Sequence, residues 1–183
     1  MSVEEIREKL PIKNIPAIVG EPTYKAINKV REALYENSGA IPTTLGRERN
    51  GHIGLIMYAE VYANVLTMAY ASPTEPGSYS QHGTGDSEAT QANANVIHKE
   101  GRIIYDLDKN VDAALKQEII AALEETYLST KNQRYMGFHG VSAKNLMDHL
   151  VERYRKIRAS DIEACRQDLA APIEVDRLID VYL

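Results

Sequence analysis

The stretch LKQEIIAALEETY, residues 115–127, decides the fold class predicted for this chain. Its apolar side chains recur every four residues, at Leu115, Ile119, Leu123 and Tyr127, with Ile120 beside them. That spacing predicts an amphipathic helix with one face in the core. No proline interrupts the sequence between Glu88 and Pro172, so we expect this part of the chain to be largely helical, with a break over residues 131–141.

Three further helices are predicted on the C-terminal side of this stretch. Ser142 caps the first, whose apolar face comprises Leu146, Leu150, Val151, Tyr154 and Ile157. Ser160 and Glu163 form a capping box that starts the second, which ends before Pro172. The third covers residues 175–183. Because the chain finishes inside its apolar pattern, we expect the native polypeptide to continue beyond Leu183.

On the N-terminal side, Ser2 and Glu5 form a capping box for a short leading helix. Three prolines then predict an extended linker: Pro11, Pro16 and Pro22. The next helix begins near Pro22 and ends over residues 37–39. Its apolar side chains follow three- and four-residue steps, at Tyr24, Ile27, Val30 and Leu34.

The region between these helical parts is less regular. Residues 53–56 suit either a short buried strand or the lead into a helix over Tyr58–Leu66, and the helix is favoured. Residues 72–87 hold two prolines and three glycines among small polar residues, which predicts a mobile surface loop.

These patterns predict a mainly α-helical protein made of two small units of packed amphipathic helices. Residues 1–17 form a leading helix and linker. Residues 18–108 form an N-terminal unit that carries the loop at 72–87, and residues 109–183 form a truncated C-terminal unit. The boundary lies near Leu107–Asn110, where Asp108 or Asn110 is expected to cap the helix that follows.

Composition restricts the setting and the class of protein. The 183 residues include 26 acidic and 21 basic side chains, for a net charge of -5, and 44% are apolar, which argues against disorder. The single cysteine, Cys165, excludes an intramolecular disulfide, so we expect a reducing setting, cytosolic or nuclear, and favour a cytoplasmic location. Residues 53–71 are long enough to span a bilayer, but Glu60 and Asn64 argue against a membrane segment.

No motif in the sequence predicts catalysis, a metal site or a cofactor. The alternating Asp106, Asp108, Asn110 and Asp112 resemble a calcium loop, yet Val111 replaces the required glycine and Gln117 the bidentate glutamate. His98 with Glu100 matches half of a zinc-deaminase signature, whose other half needs two cysteines. We therefore predict a protein that is not an enzyme and has no cofactor.

Two surfaces are candidates for interaction. The first is a basic cluster around Tyr154, made of Arg153, Arg155, Lys156 and Arg158. Its composition is that of a phosphate-binding patch with a stacking residue. Cations in the last turn of a helix also stabilise the helix, which is the alternative role of the cluster. The terminal apolar residues are candidates for weak self-association into a homo-oligomer: Leu178, Ile179, Val181 and Tyr182.

The order of several motifs resembles the Gag-like polyproteins of copia-type retrotransposons. In the first half the resemblance rests on residues 50–57 (NGHIGLIM), Tyr62, Pro73 and the pair Pro76-Gly77. In the second half it rests on a series of apolar and turn positions that resembles the capsid region: Tyr127-Leu128, Arg134, Gly137-Phe138, Val141-Ser142, Leu146, His149-Leu150, Tyr154, Ile157 and Ser160-Asp161-Ile162.

This resemblance implies an all-helical, capsid-like structural protein that self-assembles around its own RNA and has no catalytic residues. The zinc knuckle with which such proteins usually handle RNA is missing here, so RNA contact is expected to be weak and to depend on a missing C-terminal tail. Two alternatives stay open: a host protein derived from such an element, and a small helical enzyme or ligand-binding domain that uses His82, His98 or His139.

Overall fold

A computed structural model of the chain describes residues 1–45, 50–67, 69–78, 87–154, 162–163 and 166–167. Its helices are α1 (Val3–Lys9), α2 (Tyr24–Gly39), α3 (Ala59–Leu66), α4 (Glu88–Ala121), α5 (Glu125–Leu128) and α6 (Ala143–Tyr154), with a 3₁₀ turn at Ile53–Leu55. Among the described residues, β pairing is limited to isolated bridges. The prediction of a mainly α-helical protein is confirmed.

The leading helix α1 forms where its capping box predicts. The Ser2 hydroxyl accepts a hydrogen bond from the Glu5 amide (3.2 Å), and the Glu5 carboxylate accepts one from the Ser2 amide (2.9 Å). Ile6 and Leu10 are buried, and the Arg7 Nε lies 3.0 Å from the Glu118 carboxylate on α4. These contacts fix α1 against α4.

The proline-rich linker that follows is held at both ends. Asn37 on α2 is fully buried, and its side-chain amide donates to the Ile12 carbonyl and accepts from the Ile12 amide, each at 2.9 Å. Further along, the Ile18 amide donates to the Ala122 carbonyl at 2.7 Å. Satisfying these backbone groups internally allows an irregular segment to lie close to the core.

The helix α2 begins after Thr23, whose hydroxyl accepts from the Ala26 amide, and it buries the predicted face at Ile27, Val30 and Leu34. The ambiguous segment at residues 53–56 forms the 3₁₀ turn and leads into α3, so the favoured helical interpretation is confirmed. The helix α3 ends at Leu66, and the capping residue Thr67 adopts a left-handed conformation with φ +56°.

The longest element, α4, differs from the prediction at its centre. The helix is continuous through Leu107–Asn110, so a cap at Asp108 or Asn110 is wrong. Asp108 instead accepts a hydrogen bond from Tyr70, and Asn110 donates to the Met1 carbonyl. Both side chains are therefore engaged by other segments of the chain and not by the first turn of a new helix.

The apolar ladder of residues 115–127 spans two elements. Leu115 and Ile119 are buried on α4, which ends at Ala121, and Leu123 is buried in the turn that pairs with Ile18. The helix α5 then carries the fourth member, Tyr127, against the core. The ladder is therefore core-facing as predicted, but a break after Ala121 redirects its last turn.

The helix α6 begins after Ser142, whose hydroxyl accepts from the Asn145 amide at 3.2 Å, as predicted. Leu146, Met147 and Leu150 are buried against α4 and α2. Beyond α6, four described residues have helical backbone in the segment predicted to form the next helix: Ile162, Glu163, Arg166 and Gln167.

One apolar core joins α1, α2, α4, α5 and α6. It contains Ile6 from α1, Leu34 from α2, Leu115 from α4 and Leu150 from α6, so residues on both sides of the expected boundary at 107–110 contribute to the same cluster. None of the helices in the described ranges is long and apolar enough to cross a membrane.

Candidate functional site

Of the basic cluster predicted at the end of α6, the structure describes Arg153. This side chain is exposed, and its guanidinium carbon lies 5.8 Å from the centroid of the Tyr154 ring. Tyr154 in turn packs edge-on against Tyr127, with ring centroids 5.6 Å apart at 88°. Because that contact engages Tyr154 within the fold, the ring is part of the packed interior face of α6. Arg155, Lys156 and Arg158 lie outside the described residues.

The apolar residues predicted to mediate self-association also lie outside the described residues: Leu178, Ile179, Val181 and Tyr182. The same applies to Cys165 and His82. These predictions therefore stay predictions.

The described histidines occupy separate places. His98 donates from Nε2 toward the Pro76 and Gly77 carbonyls, both 3.0 Å away. His139 is exposed in the loop before α6, and His149 on α6 lies 3.1 Å from the Thr130 hydroxyl. Among the described residues, no group of three or more histidine, cysteine or acidic side chains is placed to hold a metal ion.

Among the described histidines, His52 is fully buried, and the surrounding motif NGHIGLIM positions it. Gly51 has φ +51°, and a side chain there would collide with the carbonyls of residues 38, 39 and 41, so the chain can turn tightly only with glycine. The His52 amide then donates to Ser38, and its Nδ1 lies 2.9 Å from the Ile41 carbonyl. Since a carbonyl only accepts, Nδ1 carries the hydrogen.

Burial lowers the pKa of His52, and this effect exceeds the opposing influences of the Ile41 carbonyl and of Asp108. The ring is therefore neutral at neutral pH. Its Nε2 is left without a hydrogen-bond partner among the described residues, as is the hydroxyl of the buried Tyr62.

A second polar contact lies near this histidine. The Tyr70 hydroxyl donates to the buried Asp108 carboxylate at 2.7 Å, and burial, followed by this bond, raises the pKa of Tyr70. The Tyr70 ring packs edge-on against Tyr62, at 5.6 Å between centroids. It also covers Gly54 so closely that a methyl group at residue 54 would overlap it. This cluster fastens the segment after α3 to the middle of α4.

Asp112 continues the polar side of α4 toward α6. Its carboxylate accepts from the Ala143 amide at 3.0 Å, which satisfies a free amide in the first turn of α6. Burial raises the pKa of Asp112 more than this bond and the nearby lysines lower it. Asp106 pairs with Arg102 on the same helix. Together with the partners of Asp108 and Asn110, these contacts give each residue of the calcium-like series a separate partner within the chain.

The first part of α4 carries several exposed apolar side chains. Residues 88–107, here named the α4 arm, include no buried residue, and the first buried position of the helix is Asp108. Three of its large apolar side chains are exposed: Val96 by 51%, Ile97 by 62% and Ile103 by 58%. Exposed apolar residues gathered on one element are typical of an interaction surface.

One side of the α4 arm is covered by an extended segment. Pro76 contacts Gly101, and the Arg102 guanidinium lies 3.3 Å from the Glu75 carboxylate. Between this segment and the helix lies an open groove of about 600 Å³, with mainly apolar walls that include Leu45, Pro73 and Ile97. A neighbouring groove of about 300 Å³ reaches Ile103 and Leu107.

The α4 arm was not among the sites predicted from the sequence. The signal was present as a seven-residue spacing of apolar residues, Ala89, Val96 and Ile103, with Lys99 and Glu100 between the last two. It was missed because a boundary between two helical units was expected just after this stretch.

No family model matches this chain, and no curated protein or solved structure is significantly similar to it. The resemblance to copia-type Gag proteins therefore rests on the motif residues alone. Of these, Gly51, His52 and Gly54 have packing roles, and Leu146 and Leu150 are buried in the core.

Proposed function

We propose that this chain is a structural, self-assembling Gag or capsid-like protein of a retrotransposon, or of a host protein derived from one. The observation that carries the proposal is the α4 arm, which presents Val96, Ile97 and Ile103 to solvent beyond the core. A structural assembly protein needs apolar contact surface outside its core, together with a rigid body that holds the surface in place.

Two further observations support the proposal. Three polar side chains that are buried or half-buried hold the fold together: Asn37 fixes the linker, and Asp108 and Asp112 fix neighbouring segments to α4. Of the motif residues that resemble Gag proteins, Gly51, His52, Gly54, Leu146 and Leu150 have structural roles of the same kind. Under this proposal the protein is not an enzyme and acts through its surfaces.

Sedimentation velocity over a hundredfold concentration range tests the proposal. We expect the sedimentation coefficient to rise with concentration for the full chain, and to rise less for a chain that ends at Pro172 if the terminal apolar residues contribute. If the full chain stays folded and monomeric at every concentration, the proposal is wrong.

RNA binding is tested in the same instrument. We expect added single-stranded RNA to shift the sedimentation of the full chain at low salt and to lose this effect at high salt, because the contact depends on phosphate charges. A matched variant with alanine at Arg153, Arg155, Lys156 and Arg158 should lose most of the shift. An undiminished shift in that variant would exclude the basic cluster as the RNA contact.

A ligand-binding domain is the second candidate, and the groove beside His98 is the observation that favours it. A volume of about 600 Å³ is in the range of sites for small organic ligands. A tight stoichiometric complex of a monomeric chain with a small apolar molecule, abolished by Ile97→Glu, would favour this candidate over assembly.

A further inference from the structure

The exposed side of the α4 arm carries an apolar stripe. Val96 and Ile103 are separated by seven residues, which is close to two turns, so they lie on the same face of the helix. Ala89 and Ala92 extend this face toward the start of α4, and both are exposed. The stripe therefore covers about two heptads with small and β-branched side chains.

The same face is already covered by a helix further along α4. Asn110, seven residues after Ile103, donates to the Met1 carbonyl at 2.9 Å, and Glu118 pairs with Arg7 of α1. The face that packs against α1 thus continues along the α4 arm without a described helix upon it. Its shape suits another helix, because it is the extension of a surface that binds one.

Two opposite charges flank the stripe. Lys99 and Glu100 lie between Val96 and Ile103, and because successive helical residues are about 100° apart, they fall on opposite edges of the stripe. Neither side chain forms an ion pair with another residue that the structure describes.

We propose that the α4 arm pairs with the α4 arm of a second copy in a parallel, two-fold contact. This inference rests on the proposed self-assembly and names its contact surface. In a parallel pair, Lys99 of each copy lies beside Glu100 of the other, so both edges of the contact bring opposite charges together. In an antiparallel pair centred on the same stripe, Lys99 lies beside Lys99 and Glu100 beside Glu100.

The residues of the stripe favour a pair over a larger bundle. In the parallel pair Val96 meets Val96 and Ile103 meets Ile103, and β-branched side chains at the a positions of parallel coiled coils favour two strands. The stripe is short and two charged side chains flank it, so the contact between the two copies is weak. The dimer is therefore populated at high protein concentration. Weak contacts of this kind suit an assembly in which many copies act together.

Site-specific cross-linking tests the orientation. Ile103→Cys is introduced into a Cys165→Ser background, and Glu36→Cys at an exposed position of α2 is the control. We expect mild oxidation to convert Ile103→Cys to a covalent dimer and to leave Glu36→Cys monomeric. In the antiparallel arrangement, residue 103 faces residue 96, about 10 Å from its own symmetry mate. Preferential cross-linking of mixed Val96→Cys and Ile103→Cys chains would therefore overturn the proposal.

A charge exchange provides the second test, measured by sedimentation equilibrium on the full chain. Lys99→Glu should raise the dimer dissociation constant by roughly tenfold, and Lys99→Glu/Glu100→Lys should restore it, because the parallel pair regains its opposite charges. Both variants should keep the circular dichroism of the parent, since the two positions are exposed.

The outcomes separate this inference from the proposed function. If the chain assembles but neither cross-links through residue 103 nor responds to the charge exchange, the α4 arm contact is wrong and assembly uses another surface. If the chain is monomeric throughout, both the contact and the proposed function are wrong.

Discussion

At the scale of single residues, His52 makes the stability of the fold depend on pH. Burial lowers its pKa, so the folded state binds fewer protons at this ring than the unfolded state does. The stability that follows is fully present above the unfolded pKa of about 6.5 and is lost as the pH falls below it. Burial also lowers the pKa of His149, which contributes in the same direction.

We therefore predict that the free energy of unfolding decreases between pH 7.5 and pH 5.5, and that His52→Gln reduces this decrease. Urea titrations at the two pH values measure it, with His139→Gln at an exposed position as the control. An equal pH dependence for the parent and His52→Gln would contradict the assignment of a buried neutral ring.

Glycine at residue 51 is required for two reasons, which can be separated. Its φ is +51°, and an added methyl group would lie within 2.7 Å of the carbonyl oxygens of Ser38 and Ile41. Gly20 also has a positive φ, of +76°, but has open space around it. We predict that Gly20→Ala costs about 1–2 kcal/mol from backbone strain alone, and that Gly51→Ala costs clearly more. Equal losses in denaturant unfolding would show that the loop relaxes around the methyl group.

The roles of these residues could be predicted from the sequence only in part. The glycines and His52 were visible as a motif, but the sequence does not state that the partners of this motif are the carbonyls of residues 38, 39 and 41. The contact between Tyr70 and Asp108 could likewise not be predicted, because the two residues meet only where the chain returns toward α4 after α3. There the Tyr70 hydroxyl lies 2.7 Å from the Asp108 carboxylate. A contact between residues that are far apart in the sequence leaves no local sequence pattern from which it could be predicted.

At the scale of helices, capping and periodicity predicted α1, α2 and α6 well, because each has a local cap and an apolar face. The Ser2 and Glu5 box and the Ser142 cap both form as expected. The centre of α4 was mispredicted because Asp108 and Asn110 are good capping residues whose side chains are bound by other elements instead. Propensity is a weak guide where tertiary hydrogen bonds compete with it.

Leu150 tests the packing of α6. Its side chain is fully buried in the core shared with α4, so Leu150→Ala should lower the free energy of unfolding by about 2–5 kcal/mol. Glu152→Ala on the exposed face of the same helix is the control and should change it by less than about 0.5 kcal/mol. A loss below about 1 kcal/mol for Leu150→Ala would mean that α6 is not packed as described.

At the scale of the whole molecule, α4 unites the two halves that the sequence suggested. One helix crosses the expected boundary, and the core draws on residues from both sides of it. We therefore predict a single cooperative unfolding transition, with coincident midpoints by circular dichroism and by tyrosine fluorescence. Two separated transitions would show that residues 18–108 and 109–183 fold as independent units.

The division of α4 into a buried part and an exposed arm also has a mechanical consequence. The 20 residues of the α4 arm extend about 30 Å from Asp108, so a change of about 5° in the direction of the helix at Asp108 moves its tip by about 3 Å. The Tyr70 hydrogen bond to Asp108 sits at this pivot. In any assembly built through the α4 arm, packing around Asp108 would thus set the angle between neighbouring copies and so the curvature of the assembly. Substitutions around Asp108 would then alter the radius of a particle without changing the residues in contact between copies.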